Sequence, residues 1–225
     1  MTNLARCAVF VLLIAGAAAA YSNIEGKPID VPQAAKAVSI DGVINEEEWS
    51  DALRQELTGG GELFLKDDGS HLCIGVRGLK QGWGHVYVWG ADAVYVFHAS
   101  AALGTAIYRK GEAGAWNAAQ SFSWTLRGAT QSAEARNEFL KSHNWLANNN
   151  SMGNHRELEF KVARNILTSD PRIAVVYASS ATSPQFWPTT IKDDCLKQEL
   201  VFGNAPSGLH FDKKLWARLA FKSVR

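Results

Sequence analysis

Apolar and polar positions along this chain alternate in short runs broken by turn residues, a pattern that predicts strands. The runs 62–66 (ELFLK), 72–76 (LCIGV), 85–89 (HVYVW) and 93–98 (AVYVFH) carry β-branched and aromatic residues at strand spacing. The runs 121–126 (SFSWTL) and 158–162 (LEFKV) alternate as half-buried strands do, and 173–177 (IAVVY) is apolar throughout, as in a strand covered on both faces. Residues 37–40 (AVSI) lead into the Asp41-Gly42 turn pair, 67–69 (DDG) give a second turn, and 216–221 (WARLAF) form a closing strand. Helical signals are few. Asn45 ahead of three glutamates is an N-cap with acids in the first turn, and 133–142 is charged and periodic. Residues 147–154 read as an Asn-rich exposed loop, and 179–207 as a long excursion with little regular structure. The fold expected is all-β: a two-sheet antiparallel β-sandwich, immunoglobulin-like or jelly-roll, with one or two short helices.

The first residues change the picture of where the protein works. A basic lead ending at Arg6, an apolar run over 7–20 and an Ala-x-Ala exit have the form of a signal peptide, with cleavage expected after Ala20. The run is too short to cross a bilayer, which needs about 20 apolar residues. Residues 1–20 are therefore read as a signal peptide, 21–36 as an N-terminal linker and 37–225 as a single domain. The expected location is secreted or periplasmic, with no membrane contact after cleavage. Removing Arg6 from the 23 basic residues leaves 22 against 22 acidic ones, so no basic footprint invites nucleic acid. Cys73 and Cys195 are then the remaining cysteines; in an exported protein they form one disulfide or stay as two buried thiols. Asn149-Asn150-Ser151 is a glycosylation sequon in a eukaryotic secretory route. The acidic turns leave calcium possible.

Chemical signatures add little. The chain has no Gly-x-Ser-x-Gly elbow, no His-Glu-x-x-His and no Cys-x-x-Cys, and the glycines at 59–61 precede no phosphate-binding pattern. The six histidines are scattered without helical metal-ligand spacing. No catalytic residue is assigned.

The segment 39–52 (SIDGVINEEEWSDA) resembles the opening of family 9 carbohydrate-binding modules, close in fold to DOMON domains. Further anchors follow in order: 67–76 (DDGSHLCIGV) with Cys73 at a usual tyrosine, 89–97 (WGADAVYVF), 157–162 (ELEFKV) and 215–221 (LWARLAF). They span most of the mature chain. On this resemblance Trp49 is a core residue. Sugar-binding members hold a pyranose between two aromatics, since a sugar's C–H face stacks on a ring while polar groups take its hydroxyls. Trp89 matches the first platform. Trp187 is preferred as the second, ahead of His210 or Phe211. Asp92, Tyr95, Ser123 and Thr125 would be polar contacts. Tyr95 replaces a glutamate of the sugar binders, and Ser123 and Thr125 stand where an Arg and an Asn are usual, which would weaken or redirect the ligand.

The expected function is non-catalytic carbohydrate binding. Two readings compete with it. One is a haem-binding electron carrier like some DOMON relatives, with axial ligands among Met152, His155, His143 and His98. The other is a structural or partner-binding domain whose tryptophans are all core.

Overall fold

The computed structural model describes residues 27–127, 132–149, 156–191 and 205–222, the side chains of 125–127 excepted. The 1–20 leader, Met152, His155 and Cys195 lie outside the described residues.

The chain runs β1 (Ile29–Val31), α1 (Glu46–Trp49), β2 (Leu53–Glu56), β3 (Glu62–Asp67), β4 (His71–Arg77), β5 (Trp83–Trp89), β6 (Ala93–Ala99), β7 (Ala102–Lys110) and β8 (Trp116–Arg127). It continues with α2 (Ala133–His143), β9 (Trp145–Asn149), β10 (Glu157–Ala163), β11 (Arg172–Ser179), β12 (Thr182–Trp187) and β13 (Ala217–Phe221). The strands form two sheets, as the alternation pattern predicts. The large sheet has eight strands in the order β1-β13-β11-β5-β6-β7-β8, with β12 also on β11; the small sheet has five, β2-β3-β4-β10-β9. Pairing is antiparallel throughout except for β1 beside β13, which is parallel. No helix among the described residues is long and apolar enough to cross a membrane.

Register fixes the faces, because directly paired residues share a face and neighbours along a strand alternate. The inner faces meet in the sandwich core, where Leu65, Ile74 and Phe160 of the small sheet join Val86, Phe97 and Val175 of the large one. Two contacts fasten the layers: Phe97 stacks on Trp145 at 4.8 Å, and Trp145 Nε1 donates to Thr105 Oγ1 at 3.0 Å.

The outer face of the small sheet is covered by residues 34–52, and this explains why β3 is buried on both sides. Trp49 packs edge-on against Phe64 at 6.1 Å, and its Nε1 donates to Glu159 Oε1 at 2.8 Å. Glu159 Oε2 accepts from the backbone N–H groups of Asp41 and Gly42 at 2.9 and 2.8 Å. Burial pushes the Glu159 carboxyl up to about 8 even against these three N–H donors. Beside it, the fully buried Lys66 ammonium donates to Asp51 Oδ1 (2.8 Å), Lys36 O (3.0 Å) and Glu48 O. Three protons meet three acceptors, which is what allows a charge to sit there. Trp49 is the core residue that the 39–52 segment predicts.

Four expectations need correction. Residues 37–40 pair with no strand, because they strap across a sheet face instead of joining an edge. The supposed linker is part of the fold from Ile29 onward: β1 pairs with β13, and Val31 is buried. The Asn-rich segment begins as strand β9, whose Ala147 is buried. The long excursion begins as strand β12. The strands β2 and β7 are further elements beyond those the sequence pattern suggests.

Candidate functional site

The two sheets differ in width, and the difference makes a cleft. The small sheet ends at β9, whereas the large one continues from β6 through β7 to β8, so the inner faces of these strands run out past their cover. α2, the turn after it and the loop after β10 wall the gap. The resulting cleft has a volume of about 600 Å³.

Its floor is Tyr95 lying near-parallel to the buried Phe97, with ring centroids 6.2 Å apart. A glycine at 90 makes this possible, since a Cβ there would sit 2.6 Å from Tyr95 Cε2. Ser123 pairs across the sheet with Thr105, and Gln120 with Ile107. Two of the wall groups come from the end of α2. Asn144 takes the left-handed conformation (φ 61°) that ends a helix with one residue. Its Oδ1 accepts from Asn165 Nδ2 at 3.3 Å. The His143 ring stacks on Phe139 at 4.1 Å, and its Nδ1 lies 2.8 Å from Ser142 Oγ and 3.1 Å from Phe139 O. Asp92, at the mouth, is ion-paired with Arg109 and is the carboxylate lining the cleft. The arrangement is one of hydroxyls, amides and an imidazole around an aromatic floor, with one carboxylate at the edge, suited to hydrogen bonding a polyhydroxylated molecule.

Three of the expected sugar contacts, Asp92, Tyr95 and Ser123, meet in this cleft, together with His143 from the haem-ligand candidates. Thr125 belongs to β8, and its side chain is outside the described set. The proposed platforms do not join them. Trp187 pairs with Val175 on the inner face and is 1% exposed, so neither side of its ring is open to a ligand. Trp89 lies on the opposite, outer face, edge-to-face with Trp116 (5.1 Å) and Trp216 (5.4 Å) and with Lys213 Nζ 6.0 Å from its ring. A slot walled by Trp89 and Trp187 does not exist, because strand alternation sends the two rings to different sides of one sheet. Phe211 is also on the outer layer, packed on Tyr108, Trp116 and Trp216. His98 lies there too, in contact with His85.

Cys73 is a buried free thiol on the strap-covered face, and burial pushes it up to about 12, so it stays protonated. Among the described residues, no group of three or more metal-ligating side chains is gathered.

Sequence reasoning missed Gln120, Asn144 and Asn165. Gln120 escapes a period-two count because β8 bulges: a step of two residues along β7 (105 to 107) matches a step of three along β8 (123 to 120). Asn144 carried a usable signal as an Asn just past a helical run. Asn165 carried none.

No family model, no curated protein and no solved structure matches the chain.

Proposed function

We propose that the chain is a non-catalytic carbohydrate-binding module that works outside the cytoplasm and takes its ligand in the cleft between the sheets. The observation that carries this reading is the lining itself. A partly exposed tyrosine ring is ringed by Gln120, Ser123, Asn144 and Asn165, groups that exchange hydrogen bonds with sugar hydroxyls and carry no charge to desolvate. The order of family 9-like motifs from residue 39 to 221 supports it further. The platform in this reading is Tyr95 and not the Trp89–Trp187 pair. The leader over residues 1–20 supports a secreted or periplasmic location.

The test is isothermal titration of soluble mono- and oligosaccharides into the protein, with Tyr95→Ala and Gln120→Ala alongside. Saturable binding weakened at least about tenfold by each change supports the reading, since one lost contact of about 1.4 kcal/mol has that effect. Flat titrations across the panel with folded protein overturn it.

His143 favours a second reading, haem binding. Its Nδ1 is held by a carbonyl and a hydroxyl, the kind of second contact that orients a ligating imidazole at a cleft. A Soret band in haem-reconstituted protein that His143→Ala removes would establish this reading; a colourless reconstitution would dismiss it.

A further inference from the structure

The outer face of the large sheet holds a second constellation, independent of the cleft. Strand β5 sends Trp83, His85, Tyr87 and Trp89 to this face at alternate positions, and the register sets His85 directly opposite His98 of β6. Both imidazoles are 5% exposed, with ring centroids 4.6 Å apart and Nδ1 atoms 3.4 Å apart. Aromatic rings enclose them. Trp124 meets His98 edge-on at 5.0 Å, and Phe122 lies 6.0 Å from His98 and 6.3 Å from His85. Gly104 leaves room for Trp124, because a Cβ at 104 would stand 2.8 Å from its Cε3.

Hydrogen bonding assigns the protons. The Ser100 hydroxyl donates to Ala102 O at 3.3 Å, so it accepts from His98 Nε2–H at 2.9 Å. That leaves His98 Nδ1 as a bare lone pair, and His85 Nδ1–H donates to it. One proton thus bridges two nitrogens inside a largely buried aromatic pocket. With one proton on each ring, both imidazoles are neutral, the state a metal ligand requires.

We propose that His85 and His98 form a two-histidine site for a monovalent copper ion, which takes the place of the bridging proton between their Nδ1 atoms. Linear two-coordination with metal–nitrogen bonds of about 2.0–2.1 Å needs nitrogens about 4.0–4.2 Å apart, so the two rings must spread by about 0.6–0.8 Å from their 3.4 Å separation as the ion enters. Ser100 supplies the second contact that orients a ligating imidazole. Charge selects the oxidation state. No third His, Cys, Asp or Glu joins the pair among the described residues. Placing an ion in a low-dielectric pocket costs in proportion to the square of its charge, so a monocation with two neutral ligands is favoured over Zn(II), which needs four ligands. Proton bookkeeping is neutral: His85 moves its proton from Nδ1 to Nε2 as the ion enters, and none is released.

The test is anaerobic titration of chelator-stripped protein with Cu(I) against a chromogenic Cu(I) chelator. Histidine-ring nitrogen resonances are followed in parallel, and Zn(II) serves as comparator. One equivalent bound, with the His85 and His98 Nδ1 signals shifted and affinity reduced about 100-fold or more in His85→Gln and His98→Gln, supports the site. The ring resonances of the unaltered protein keep the test valid if either variant fails to fold. Copper bound with the Nδ1 signals unmoved, binding equal in both variants, or zinc held more tightly than copper overturns the proposal.

Discussion

At the scale of single residues, the buried ionisable groups set the most specific expectations. Glu159 accepts three N–H bonds, and replacing it by Gln turns an amide N–H₂ toward one set of donors. Leaving such buried donors unpaired costs about 1–3 kcal/mol each. Glu159→Gln is therefore expected to lower the urea midpoint by a loss of about that size, with the m value unchanged. The histidine pair predicts a pH effect of definite sign. His98 is lowered to about 4 and His85 lies well below 6.5, so the unfolded chain binds protons that the native protein refuses. Their contribution is full above about pH 6.5 and is lost as pH falls toward 4. For His98 alone it amounts to about 3 kcal/mol at 1.36 kcal/mol per pKa unit. The raised Glu159 carboxyl acts in the opposite sense: its contribution is full below about 4.5 and is lost progressively from there to about 8. Between pH 4.5 and 6.5 it offsets part of the histidine rise, and above 6.5 it acts alone. Denaturation series at pH 4.5, 5.5, 6.5 and 8 should show stability rising to 6.5 in the native protein, a shallower rise in His98→Gln, and a decline from 6.5 to 8 in both.

Elements show where local pattern sufficed and where it failed. Strands β3, β4, β5, β6 and β10 fall where short β-like runs place them, and β11 falls on the continuous apolar run of 173–177, as a strand buried on both faces should. Helix α2 falls where its periodicity places it, with Ser132 as N-cap accepting from Ala135 N. Strand β1 was illegible, being three residues long, yet its Val31 is buried against the sandwich. Val31→Ala is expected to cost about 2 kcal/mol by thermal or urea denaturation, where a linker residue would cost nothing. Gly90 tests the element that carries Tyr95. Gly90→Ala must displace the ring, since the added Cβ would stand 2.6 Å from it. The Cβ would also stand 3.0 Å from the Ala93 carbonyl, so the unfolding midpoint should drop as well; among the molecules still folded, carbohydrate affinity should fall at least several-fold, which paired titration and denaturation would reveal.

For the whole molecule, the decisive fact is which side of which sheet a residue lies on. Trp187 is locked in the core between the layers, whereas Trp89 is half-buried on the outer face. Trp187→Ala should destabilise the protein by about 3–5 kcal/mol, the range for emptying a large aromatic site in a core. Trp89→Ala should cost clearly less, and neither should act on sugar binding except through folding. Comparing the two denaturation curves checks the assignment of faces directly.

Local chemistry in the sequence was enough to determine the class of fold, the positions of most strands and α2, while the core role of Trp49 came from the resemblance of the 39–52 segment. Periodicity, caps and turn pairs act over a few residues, and these features depend on nothing more distant. Asp92, Tyr95 and Ser123 were recognisable one by one. Only the tertiary structure decided that they share a cleft with Gln120, Asn144 and Asn165, that Trp89 and Trp187 lie apart, and that His85 faces His98. Each of these depends on strand order, register and the β8 bulge. Those are set by how two sheets of unequal width bury their faces together, an energy that no single segment contains.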